Sequence, residues 1–178
     1  MIIKPFKTGL IVGRFQVFHL GHEDMVRRAL ELCESVTLFI GSAQESNTNK
    51  NPLTFEERKE MIRLIFPDEN QLKIYPLHDI GVGDNLIWGD YVLANFRIYN
   101  NGKDPDLVVS GIESVRNSWF DPKNAPDTAV LFLPKILKIS GTEIRNMIRS
   151  GDENWKFNIN QLLLHYKPIL KLEGEYNE

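Results

Sequence analysis

The chain has 178 residues, 42% hydrophobic and 25% charged, a balance that suits a folded soluble domain and excludes collagen, coiled coil and disorder. A formal net charge of −3 supplies no global cationic field for nucleic acid or an anionic membrane, and no apolar run approaches the ~18 residues of a membrane span. The single cysteine, Cys33, cannot close an internal disulfide, and the N-terminus has no signal-peptide core, so a cytoplasmic protein is the expectation.

Residues 8–13 (TGLIVG) form a short apolar run ending in Gly, which suits a buried strand. After a loop, residues 23–33 place Met25, Val26, Ala29, Leu30 and Leu32 at helical spacing. Residues 36–40 (VTLFI) read as a second buried strand, and the polar run 42–52 as a loop. A second helix is predicted over 54–66, with Thr54 and Glu57 at capping-box spacing and Pro67 as the stop. A third strand follows at 72–77, a loop with two glycines at 79–85, and a helix at 86–99. Residues 106–110 (DLVVS) and 129–133 (AVLFL) are the fourth and fifth strands, separated by the stretch 111–127, which reads as polar and irregular. A short helix opened by Thr142 runs over 142–149, with Gly151 as its stop. A last helix is expected at 160–166, before Pro168, and the acidic tail EGEYNE should fray. Buried strands alternating with helices imply an α/β fold with a parallel sheet, whose ligands bind beyond the carboxyl ends of the strands.

The loop after the first strand carries the most chemistry. Gly13 lets the backbone turn close to a ligand, and the next helix start offers unpaired N–H groups and a positive dipole end that attract phosphate. His19 and His22 sit three residues apart and can face one side, and Arg14 adds a cation. From spacing alone, a metal site or a solvated helix start stays as open as a phosphate site. Zinc is disfavoured, because His78, His165 and Cys33 are the only further histidines and thiol. The sequence has neither G-x-x-x-x-G-K followed by Ser or Thr nor G-x-G-x-x-G, which argues against a P-loop enzyme and weakens a dinucleotide-dehydrogenase reading.

The segment GRFQVFHLGH, residues 13–22, resembles the signature of the nucleotidyltransferase superfamily that carries a (T/H)-x-G-H motif. At the other end of the chain, ISGTEIR at 139–145 resembles that superfamily's ISxTxIR-type motif. Within the superfamily the chain is most similar to nicotinamide-nucleotide adenylyltransferases of the archaeal and Nudix-fused types. The stretch IGSAQESNTNKNPLTFEERKEMI (40–62) looks like their block between the second strand and the next helix. Asp79-Ile80, followed by Asn85-Leu86-Ile87-Trp88, resembles the region that holds nicotinamide.

This resemblance implies a Rossmann-like, doubly wound parallel sheet of about five strands. The expected organisation is a single domain over 1–178 with a C-terminal helical segment at about 152–170 and no room for a Nudix partner. It implies adenylyl transfer from ATP to nicotinamide mononucleotide (NMN), giving NAD and pyrophosphate. By the same resemblance His19 and His22 contact the ATP phosphates, and Arg14, Lys50 and Arg145 neutralise phosphate charge. Gly13, Phe15, Gln16, Gly21, Ser140 and Thr142 complete the ATP set; Asp79, Ile80, Asn85 and Trp88 form the NMN set. A divalent ion, Mg²⁺, is expected to travel on the phosphates without a protein side-chain cage, and a homo-oligomer is expected because related enzymes form them. Val17 stands where the pattern has Pro, Asn47 where it has His, and Ile112 where it has Asn; Glu113 adds a negative charge nearby, and the span from Asp79 to Asn85 is longer. These departures bear on substrate choice more than on reaction type. The alternatives are a related transferase with another acceptor (nicotinate mononucleotide or pantetheine phosphate) and a non-catalytic nucleotide sensor.

Overall fold

A computed structural model describes residues 3–68, 70–134 and 139–173. Five strands, β1 (Phe6–Gly13), β2 (Cys33–Ile40), β3 (Leu72–Pro76), β4 (Leu107–Ser110) and β5 (Ala129–Phe132), form one parallel sheet in the order β3-β2-β1-β4-β5. The order reverses at β1, whose neighbours are β2 on one side and β4 on the other. The described residues also form six α-helices: α1 (Leu20–Leu32), α2 (Phe55–Ile65), α3 (Leu86–Tyr99), α4 (Val115–Ser118), α5 (Gly141–Ser150) and α6 (Lys167–Leu170).

The period-2 alternation of each strand divides two apolar cores between the faces of the sheet. Ile11, Val36, Leu38, Ile40, Leu107 and Val109 face a core completed by α1, α2, α5 and the C-terminal segment. Leu10, Phe39 and Val108 face the other, completed by α3 and α4. This is the doubly wound arrangement expected from the sequence. One carboxylate locks the register of the central pair: Asp106 Oδ2 accepts hydrogen bonds from the backbone N–H groups of Lys7 and Thr8 and from the Thr8 hydroxyl.

Besides small shifts at the strand ends, the structure departs from the sequence reading at several elements. Helix α1 begins at Leu20 after its cap His19, as the histidine segment leads one to expect, but it ends at Leu32: Cys33 belongs to β2, since the chain enters the strand with no intervening loop. Ser140, not Thr142, caps α5: its hydroxyl accepts from Glu143 N–H, while Glu143 Oε2 accepts from Ser140 N–H at 2.7 Å. The stretch read as irregular contains α4 and buries Val115, Trp119, Phe120 and Ala125 against α3, which its polar flanks conceal. The last predicted helix is a 3₁₀ turn at Gln161–Leu163, preceded by another at Glu153–Asn158; Pro168 then opens α6 rather than ending a helix, since its missing N–H costs nothing in a first turn. Apart from Glu173, the tail expected to fray lies outside the described residues.

Candidate active site

Beyond the carboxyl ends of β1, β4 and β5, at the reversal of strand order, lies a cavity of about 650 Å³. Gly13, Arg14, Phe15, His19, Gly21 and His22 line it from the end of β1, the loop after it and the start of α1; Ser110, Gly111 and Ile112 from the end of β4; and Leu133, Pro134, Ile139, Ser140 and Gly141 from the segment between β5 and the start of α5. Crevices at such a reversal are where open α/β sheets bind ligands.

The loop at 13–22 is shaped from within. Phe15 is buried with φ +53°, and its ring lies where a side chain on residue 13 would go: a Cβ on Gly13 would stand 2.8 Å from it. The ring meets His22 edge-on at 4.9 Å. His19 and His22 stack with centroids 3.6 Å apart. His22 Nδ1 accepts from the His19 backbone N–H at 3.4 Å, which in the neutral ring leaves the proton on Nε2. An N–H donor is thereby held at the start of α1, where the helix dipole already favours an anion.

The second block lies against the first. Arg145, buried on α5, donates through Nη1 to the Gln16 carbonyl and through Nη2 to Thr142 Oγ1 at 3.1 Å. Its Nε is buried and has no hydrogen-bond partner among the described residues. Burial, with Arg149 and Arg14 close by, pushes its pKa down to about 10, so it stays charged at neutral pH. Gly141 permits the approach, since a Cβ there would come within 2.5 Å of the Gln16 carbonyl oxygen. The Gln16 side chain turns away from the cavity. Its amide donates to Leu53 C=O at 2.8 Å and accepts from Leu53 N–H at 2.9 Å. Thr142 and Lys50 are exposed; neither lines the cavity wall. Lys50 rides on the loop at 42–52, which Arg149 of α5 grips through the Asn49 carbonyl at 3.1 Å.

The residues expected to read nicotinamide lie in a separate group, after β3 and at the start of α3. Asp79 and Ile80 are exposed; one Asp79 carboxylate oxygen accepts from Gly81 N–H at 2.9 Å. Asn85 caps α3, accepting from Trp88 N–H at 3.1 Å and donating to Val82 C=O at 2.6 Å. Trp88 is 9% exposed and meets Trp119 edge-on at 6.0 Å. The indole N–H groups of both tryptophans are buried with no partner among the described residues.

Sequence reasoning missed Arg58. Its guanidinium is fully buried and donates to the carbonyls of Arg14 (2.9 Å), Gly41 (2.8 Å), Ser42 (3.2 Å) and Thr54 (3.1 Å). It thus joins the loops after β1 and β2 to α2. Burial and the nearby Arg14 lower its pKa to about 10, and it too stays charged. A signal existed: Arg58 lies three residues before Met61 and four before Ile62, on the stripe that the helical period assigns to the core. Nothing in the sequence near Trp119 indicates a partner.

Among the described residues, no group of three or more His, Cys, Asp or Glu could hold a metal ion, and no helix is long and apolar enough to cross a membrane.

Residues 10–147 match the family described as cytidylyltransferase-like, so fold and site together define a nucleotidyltransferase. The chain is 36% identical over 154 residues to the nicotinamide-nucleotide adenylyltransferase of Aeropyrum pernix, covering 84% of both proteins. It is 35% identical over 153 residues to that of Thermoplasma volcanium, covering 84% of this chain and 79% of the relative. Among solved structures it is similar to a bifunctional NMN adenylyltransferase/ADP ribose pyrophosphatase of Francisella tularensis complexed with AMP and a manganese ion. That likeness has a TM-score of 0.68 at 25% identity and covers 82% of this chain but 42% of that one. The chain belongs to the nicotinamide-nucleotide adenylyltransferases.

Proposed function

We propose that the enzyme joins ATP to NMN through the two loop clusters described above, making NAD and pyrophosphate. The observation that carries this reading is the cavity at the reversal of strand order, whose wall includes the stacked His19–His22 pair, Arg14 and the start of α5. An NMN phosphate oxygen attacks the α-phosphorus, and the bond to the bridging oxygen breaks, with its electron pair leaving on pyrophosphate. The acceptor brings its own nucleophile, so the protein's work is positioning and charge stabilisation.

His22 Nε2–H and the first N–H groups of α1 donate to the phosphates as charge shifts toward the leaving group. Arg14 and Arg145 offset the charge of two polyanions brought together, and Lys50 approaches with its loop. Thr142 and the start of α5 add donors. The apolar wall of Met25, Ile112, Leu133 and Pro134 suits a purine ring. On the acceptor side Asp79, Ile80 and Asn85 surround the carboxamide, and Trp88 offers a stacking face. Mg²⁺ would be held by the ATP phosphates rather than by protein side chains and would supply charge neutralisation there. The protected single thiol suits a reducing compartment such as the cytoplasm.

The test is turnover with ATP and Mg²⁺ against NMN, nicotinate mononucleotide and pantetheine phosphate, following pyrophosphate and dinucleotide together. NAD and pyrophosphate in equal amounts from NMN are expected. Pyrophosphate only with another acceptor would overturn the nicotinamide assignment, and tight ATP binding with no pyrophosphate from any acceptor would leave a nucleotide sensor.

A further inference from the structure

The loop at 79–85 leaves β3 with little to hold it. Gly81 and Gly83 both take φ +73°, and a Cβ on either would meet nothing within 4 Å. Its far end is fixed by Asn85, which caps α3 and binds Val82 C=O. At its near end the β2–β3 ladder runs on through Leu77 N–H to Ile40 C=O (2.9 Å) and Ala43 N–H to Leu77 C=O (3.1 Å). There the β2 chain turns away, with Ser42 at φ +47°. The Gln44 side chain takes over the ladder. Its amide donates to Asp79 C=O at 3.0 Å and accepts from Asp79 N–H at 3.1 Å, as a peptide group of a neighbouring strand would. Among the described residues, these two hydrogen bonds tie the loop to another loop. Gln16 uses the same two-way grip on Leu53, so the loops after β1 and β3 are each tied to the loop after β2 by a glutamine amide paired with a backbone peptide.

We infer that Gln44 is a positioning residue for the acceptor nucleotide: it fixes the peptide of Asp79, and with it Ile80, relative to the loops that hold ATP. This rests on the reading of residues 79–88 as the NMN side of the site. Gln44 is exposed, so truncating it leaves the cores intact.

The experiment compares Gln44→Ala and Gln44→Glu with wild type in steady-state turnover, varying NMN at saturating ATP and ATP at saturating NMN, and records Tm for each. The Glu variant matches the side chain in size and keeps the acceptor for Asp79 N–H, but it sets a carboxylate oxygen against Asp79 C=O. Each lost hydrogen bond is worth about twofold to tenfold, so KM for NMN should rise about tenfold in both variants. KM for ATP and kcat should stay within about threefold and Tm within about 2 °C, since both bonds are exposed. An unchanged KM for NMN overturns the inference. So does a joint rise of both KM values with a fall in Tm, which would mark a general loosening. Wild type that fails to use NMN would overturn the underlying functional reading, and is told apart by the absence of turnover before any substitution.

Discussion

Replacing Arg58 by Met removes a side chain that joins both phosphate-side loops to α2. The volume is roughly kept, so the loss is polar. Ser42 C=O also accepts from Glu45 N–H, and Thr54 C=O from Arg58 N–H, so each keeps a partner. The carbonyls of Arg14 and Gly41 receive no other hydrogen bond among the described residues. Each buried carbonyl left without a donor costs about 1–3 kcal/mol, or about 2–6 kcal/mol for the pair. Relief from burying a charge offsets part of this, leaving a net loss of about 2–4 kcal/mol. For a chain of this length that lowers Tm by about 5–15 °C, at roughly 2–4 °C per kcal/mol. Freed from its anchor, the Arg14 backbone should also raise KM for ATP by about tenfold. Thermal and urea unfolding give the stability, and steady-state kinetics below the new Tm give the rest. Arg58→Lys should fall between, because one ammonium cannot reach carbonyls on three segments at once. A Met variant within about 1 kcal/mol of wild type, with KM for ATP unchanged, would refute this reasoning.

His22→Ala should lower kcat by about 10²–10³-fold, since it removes a donor aimed at developing charge, while Tm falls by only about 2–5 °C from the lost half of the capping box; a loss of kcat below about tenfold would remove that role. Gly141→Ala puts a Cβ within 2.5 Å of the Gln16 carbonyl and should push α5 off the loop, lowering kcat/KM for ATP by about tenfold or more; unchanged kinetics would show that the Arg145–Gln16 contact is dispensable. Cys33 is fully buried, and burial pushes its pKa up to about 11. A disulfide reagent at pH 8 should therefore label the denatured chain and spare the native one. Because the unfolded thiol ionises first, stability should also fall between pH 9 and about 11; rapid native labelling would contradict the burial.

The strand and helix order was legible because each strand is a short apolar run, and each long helix carries its stripe and caps. The histidine pair and the ISGTEIR block were legible because their spacing is tied to a helix start. Long-range polar contacts were not. Nothing local shows that Gln16 grips Leu53 or that Arg145 reaches the Gln16 carbonyl across 129 residues of sequence. Trp119 and Phe120 were hidden in a polar stretch, because two aromatics without periodicity carry no pattern. Asn85 was read for its amide chemistry, yet that amide caps α3 and binds Val82, so its contact with ligand would be shared with a structural duty. Arg58 lay on the apolar stripe of α2, where a charged residue between core positions marks a buried hub.

The most direct measurement is a turnover with ATP labelled at the α-phosphorus, NMN and Mg²⁺, with products and protein separated after quenching. All label is expected in NAD, one for each pyrophosphate released, and none on the protein, since the NMN phosphate is the nucleophile. Label retained on the protein, or pyrophosphate release that leaves NMN unconsumed, would contradict direct adenylyl transfer.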